Sequence, residues 1–225
     1  MRFQNAARDG RAIVYAAIQA DPLVARAAGL LADAGYAVRV LARAVMNGQT
    51  LDPGAWRTMF PTLFGPDADE ATRAGAEAVL AASLEVAGRG EEVRSQFRGA
   101  IVEALTERLL ARRVPTPAIH RERRILFDGV PTEIHPYDVT VEVPGAAEAY
   151  DCKWGARGIG ADVLNQLDDA RRHAAEEAER LVAALVIFDA ARTCQTRLAR
   201  QTAPRTGLRL VTLETLDRMA GATKG

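Results

Sequence analysis

Residues 181–189 read LVAALVIFD, an unbroken apolar run closed by one acid. A run of this length suits a β-strand buried on both faces, which is a strand inside a layered α/β arrangement. The segments before it fit that frame. From about Asp162 to Arg180, Val163, Leu167, Ala170 and Ala174 recur at helical spacing. Further upstream, Tyr137, Val139, Val141 and Val143 alternate with Asp138, Thr140 and Glu142, the period of a strand with two unlike faces. Pro144-Gly145 breaks this pattern, and EAYDCKW follows as another strand. Ile125 to Phe127 reads as a short strand, and Asp128-Gly129 as the tight turn of a hairpin leading into the strand that ends at Val143. The helix SQFRGAIVEALTERLLARR, with the stripe Phe97, Ile101, Leu105, Leu109, precedes them. After the apolar run, GLRLVTLETLDRMAG supplies a last strand and a short helix. The predicted order is helix, three strands beginning with a hairpin, helix, strand, and one more strand.

Residues 1–90 have a different texture, rich in alanine and helical in period, with breaks at Asp21-Pro22, at Asn47 to Pro53 and around Gly65-Pro66. Helices are predicted from Leu23 to Val45, bent near Gly35, and from Asp67 to Val86, with Asp67 or Asp69 as the cap. Trp56, Met59, Phe60 and Phe64 are expected to pack between helices. The predicted organisation is an all-α N-terminal domain over residues 1–90 and a mixed α/β domain over 91–225.

Several function classes are set aside on composition. Lys plus Arg and Asp plus Glu both number 29, so net charge points to no polyanionic partner, and any basic surface must be local. Cys152 and Cys194 form no CxxC pair, and His120, His135 and His173 have no HxH or HExxH spacing. A disulfide framework, a zinc site and a histidine metal centre are therefore not expected. Asp9, Arg11 and Gln19 interrupt the N-terminal apolar residues, which suits neither a signal segment nor a membrane span, so a cytoplasmic location is expected.

The chemistry concentrates at Asp151 and Lys153, two apart in a predicted strand and so on one face. Asp138 lies on the polar face of the preceding strand. If the two strands are neighbours, two carboxylates and an ammonium converge. Carboxylates brought together repel unless a cation lies between them, and all-oxygen ligation suits Mg2+ or Mn2+. A lysine beside such a cation can stabilise negative charge or help orient and deprotonate a water, a combination suited to attack on a phosphodiester.

On these residues, residues 91–225 resemble the PD-(D/E)xK nuclease superfamily, with its restriction-endonuclease-like fold. Asp151-Cys152-Lys153 is the DxK element, and Asp138 is the upstream acid. Glu103, in FRGAIVEAL, stands where the family's first helix often contributes a glutamate, and Gln166, in LNQLDDA, where the helix after the DxK strand often carries a glutamine. Two positions depart from the pattern: Tyr137 separates Pro136 from Asp138, and Ala170 occupies the place of a tyrosine found in one exonuclease branch. The resemblance implies an αβββαβ core and a Mg2+- or Mn2+-dependent nuclease, with DNA as the expected substrate. It implies that Asp138, Asp151 and the Cys152 carbonyl bind the metal and that Glu103 completes the site. Lys153 would position or activate the attacking water, and Gln166 would orient Lys153 or contact the phosphate. The alternative is a catalytically inactive module of the same fold that binds nucleic acid or a partner protein. In the nuclease the helical domain would serve substrate contact, dimerisation or partner docking, and no membrane is expected as a partner.

Bland readings stand beside these. Asp138 could be an ordinary solvent-facing residue, and Glu103, like Glu107 one turn on, a helix-surface charge. Gln166 lies on an inward stripe and needs a partner, which a structural hydrogen bond would also provide. Arg112, Arg113, Arg121, Arg123 and Arg124, with His120, form either a phosphate-holding patch or a solvated linker. Cys152 and Trp154 are expected on the packed side of the strand.

Overall fold

The computed structural model describes residues 1–6, 10–131, 135–201 and 207–221, with Arg11 and Pro131 described in backbone only. Aspartate followed by proline starts two of the helices. Asp21 accepts from the Leu23 amide ahead of α2 (Pro22–Asp33), and Asp52 accepts from the Gly54 and Ala55 amides ahead of α4 (Pro53–Met59). In both, the carboxylate satisfies amides that the first turn leaves without partners, and proline takes the position whose missing N–H costs nothing. Asp69, one of the two predicted caps, does the same for α6 (Glu70–Ala87) through the Thr72 amide. The bend expected near Gly35 is a full break: α2 stops at Asp33, and Gly35 caps α3 (Tyr36–Asn47). The buried Arg39 guanidinium donates to the carbonyls of Leu31 and Ala32, satisfying the orphaned C-terminal end of α2. Of the expected aromatic cluster, Trp56 is buried with its indole N–H on the Thr50 carbonyl, Phe60 and Phe64 are half-buried, and Met59 is exposed.

The chain divides into two compact units, Gly10–Arg108 and the pair Met1–Asp9 with Leu109–Gly225. The described residues of the first unit hold only helices, with α1 (Gly10–Gln19), α5 (Pro61–Phe64) and most of α7 (Glu91–Leu110) completing the set. The composition shift at Gly90 coincides with the start of α7, and the division between units falls one helix later. Phe97, Ile101, Leu105 and Leu109 of α7 are all fully buried, as their spacing predicts.

The second unit is built on a mixed sheet of order β1-β2-β4-β5-β6-β7, with β3 also paired to β2. The strands are β1 (Arg2–Asn5), β2 (Ile119–Phe127), β3 (Val130–Pro131), β4 (Tyr137–Val143), β5 (Ala146–Lys153), β6 (Leu181–Ile187) and β7 (Arg209–Val211). Pairing is antiparallel from β1 to β5 and parallel from β5 to β7, the parallel pairs being joined through α8 (Ala161–Glu176) and α9 (Ala191–Leu198). Asp128 and Gly129 have φ of 49° and 79°, the left-handed pair of a tight hairpin, but the hairpin closes on the two-residue β3. Residues 132–134 of the expected second strand lie outside the described residues. Leu164, Leu167, Ala170 and Ala174 of α8 pack with Leu185 and Ile187 of β6 and with Ile125, Phe127 and Tyr137. This is the cover that the apolar run of β6 requires. The expected short terminal helix is a 3-10 helix, Leu216–Ala220.

Candidate active site

The geometry of the site starts at a turn. Pro144-Gly145 joins β4 to β5 in two residues, with Gly145 at φ 76°, a conformation that glycine takes without strain. The turn sets Val143 across from Ala146 and, counting outward, Val139 across from Tyr150. One step further along this register, Asp138 faces Asp151. A shift by one residue would send one of the two carboxylates to the other side of the sheet.

Both carboxylates meet Lys153. Its ammonium lies against Asp151 Oδ1 and 3.7 Å from Asp138 Oδ2. Asp138 Oδ2 also accepts from the Cys152 amide at 2.6 Å, which ties the upstream acid to the backbone between the other two residues. The Asp151 side chain is 7% exposed, and apart from the lysine its Oδ1 has no hydrogen-bond donor among the described residues. Burial pushes the Lys153 ammonium toward losing its proton, but the charges of Asp138 and Asp151 outweigh burial and hold its pKa above the ordinary lysine value. Lys153 is therefore a fixed positive charge, suited to orienting a water or holding a phosphate oxygen.

The segment after Lys153 holds this arrangement in place. Phe188 N–H donates to the Lys153 carbonyl, and half-buried Trp154 stacks on Phe188 with ring centroids 4.8 Å apart. Trp154 is thus a packing residue, and Cys152 is buried as expected. A 3-10 turn, Ala156–Gly158, then folds back on the lysine. A Cβ at Gly158 would sit 2.7 Å from both Cβ and Cγ of Lys153. Asp189, to which the sequence reading gave no role, fixes this turn: its carboxylate accepts from the amides of Ala156 and Ala190 at 3.0 and 2.8 Å. Its signal was an acid ending an otherwise apolar strand.

Gln166 points inward, but its amide goes to the backbone of His135: Nε2 donates to the His135 carbonyl and Oε1 accepts from its N–H. It therefore braces the segment leading into Asp138 and makes no hydrogen bond to Lys153. Glu103 belongs to the helical unit, where it is buried. Its carboxylate accepts from the Tyr15 hydroxyl at 2.5 Å and from Gln19 Nε2 at 2.7 Å, both on α1. The surface-charge alternative for Glu103 fails on this burial. The arginine patch is engaged within the protein. Arg113 pairs with Glu148, Arg123 with Glu142, and Arg112, Arg121 and Arg124 each have partners.

Asp138, Asp151 and the Cys152 carbonyl are the groups that could hold a divalent cation, and Asp151 Oδ1, which meets only the Lys153 ammonium among the described residues, fits that role. Among the described residues no group of three or more His, Cys, Asp or Glu that could hold a metal ion gathers anywhere, so this site offers two carboxylates and no third. Two carboxylates suffice for Mg2+, which keeps several waters and binds substrate phosphates as well. No protein-family model, no curated protein and no solved structure matches this chain. Among the described residues no helix is long and apolar enough to cross a membrane.

Proposed function

We propose that the chain is a divalent-metal-dependent nuclease with a restriction-endonuclease-like core, hydrolysing phosphodiester bonds in DNA. The observation that carries this is the meeting of Asp138 and Asp151, from adjacent strands, on the one ammonium of Lys153. Asp138, Asp151 and the Cys152 carbonyl would hold Mg2+ or Mn2+. The ion would supply Lewis-acid polarisation of a phosphoryl oxygen and lower the pKa of a bound water. Lys153, held protonated, donates to the attacking water or to a non-bridging phosphate oxygen and balances charge there. Asp138, fixed by the Cys152 amide, keeps its position while substrate enters. Glu103, with its carboxylate bonded by Tyr15 and Gln19, has a sufficient role inside the helical unit.

An inactive binding module is the second reading. It is favoured by the same ion pairs, because a lysine shared by two carboxylates is also a stable structural cluster. A cleavage assay separates the two. Plasmid, linear duplex, single-stranded DNA and RNA are incubated with Mg2+, Mn2+ or EDTA, using wild type, Asp151→Ala and Lys153→Ala. Metal-dependent cleavage abolished by either substitution is expected. Cleavage that survives both would remove the site assignment, and no cleavage of any substrate would favour the binding module.

A further inference from the structure

Beside the carboxylate site lies a groove of about 460 Å³ lined by Arg157, Arg192, Arg197 and Arg200 with Thr193 and Thr196. No acid lines it. Arg157, Arg192 and Arg200 are exposed and form no ion pair among the described residues, and half-buried Arg197 donates from Nε to the Ile159 carbonyl at 3.2 Å. The groove has two walls. One is the 3-10 turn carrying Arg157, whose last residue, Gly158, packs directly on the stem of Lys153. The other is α9 and the residue pair beyond it. There, at roughly 100° per residue, positions 192, 193, 196, 197 and 200 fall within one arc of about 140°. Asp189 and the Arg197 bond pin the two walls together.

Four guanidiniums converge on this groove with no acid among its described lining residues, which makes its potential positive and favourable to an anion. Arginine forks fit phosphate oxygens, and threonine hydroxyls add neutral donors of the kind that contact nucleic-acid backbones. We infer that this groove binds the phosphodiester backbone of DNA and leads the strand to Asp138, Asp151 and Lys153. The inference deepens the nuclease reading and rests on it for the direction of the strand. Backbone contact through four arginines carries no base readout, so binding is independent of sequence and steeply dependent on salt.

The test is fluorescence anisotropy with labelled single- and double-stranded oligonucleotides in EDTA over a series of KCl concentrations, where cleavage plays no part. The variant is Arg157→Gln/Arg192→Gln/Arg200→Gln, which leaves Arg197 and its structural bond intact, and its fold is checked by circular dichroism and thermal melting. Wild type is expected to bind duplexes of unrelated sequence alike. The triple variant should lose at least about tenfold in affinity, with the slope of log K against log salt shallower by about 2 to 3. Unchanged affinity and slope in the triple variant would overturn the inference, as would a wild type that binds no DNA or prefers anionic phospholipid vesicles to it. Arginine-dependent binding with no metal-dependent cleavage would leave the groove standing and remove the nuclease reading. Cleavage without arginine-dependent binding would do the reverse.

Discussion

Asp151 is the residue on which most depends, since its buried Oδ1 has Lys153 as its one donor among the described residues. Replacing Lys153 by methionine keeps the length of the stem but leaves that carboxylate buried beside Asp138 with no counter-charge. Breaking a fully buried pair costs several kcal/mol, and the partial exposure of Lys153 brings the expected loss to about 1–3 kcal/mol. Urea unfolding in EDTA should show this loss. Millimolar Mg2+ should recover part of it by binding the folded state between the freed carboxylates. In Asp151→Ala, Mg2+ should give no stabilisation, and an equal metal effect in wild type and Asp151→Ala would place the cation elsewhere.

At the level of elements, the turn after β5 matters more than its length suggests. Gly158→Ala would put a methyl group 2.7 Å from the Cβ and Cγ of Lys153, atoms close to the backbone that cannot swing aside. Overpacking of this kind costs about 1–3 kcal/mol. The lysine is the part displaced, so cleavage should fall well beyond the loss in stability, measurable as a drop in kcat at a temperature where the variant is fully folded. A second element-level contact carries a pH signature. On β5, burial raises the Glu148 carboxyl, but hydrogen bonds from Arg113 and Tyr150 outweigh it and hold the pKa below the ordinary glutamate value. A depressed folded-state pKa adds stability above the unfolded value near 4.5, and that stability is lost as pH falls through the folded value. Arg113→Gln should therefore be less stable than wild type at pH 7, with the gap closing below about pH 4.5, as followed by denaturant midpoints.

For the whole molecule, the helical unit Gly10–Arg108 is inserted between the first strand of the sheet and all the others. β1 pairs with β2 across more than a hundred residues, with Arg2 opposite Leu126 and Asn5 opposite Arg123. Closing so long a loop carries an entropic cost that local contacts cannot offset early, so β1 should dock late and open first. Hydrogen exchange should find the amides of β1 less protected than those of β4, β5 and β6. Deleting residues 1–5 should lower the melting temperature and, by baring the edge of β2, promote aggregation. Protection in β1 equal to that in β6 would contradict this order.

The strands were readable wherever local physics decided them. The alternation of Tyr137 to Val143, the break at Pro144-Gly145 and the apolar run of residues 181–189 each fixed an element. The two-residue turn fixed a register that puts Asp138 opposite Asp151. β1 escaped because RFQN has too few residues to show a period, and its pairing depends on a strand distant in sequence. Gln166 and Glu103 show the same divide. Spacing placed Gln166 inward and left Glu103 between a site carboxylate and a surface charge, and only three-dimensional packing could supply His135 for one and Tyr15 with Gln19 for the other. The arginines show it too. Of the arginines clustered in sequence at 112–124, Arg113 pairs with Glu148 and Arg123 with Glu142, while Arg157, Arg192 and Arg200, scattered in sequence, come together with no ion pair among the described residues. The sequence by itself determined which side chains share a face, because periodicity is a local property of the backbone. The tertiary structure decided which charges are neutralised, because pairing depends on neighbours that lie far apart along the chain.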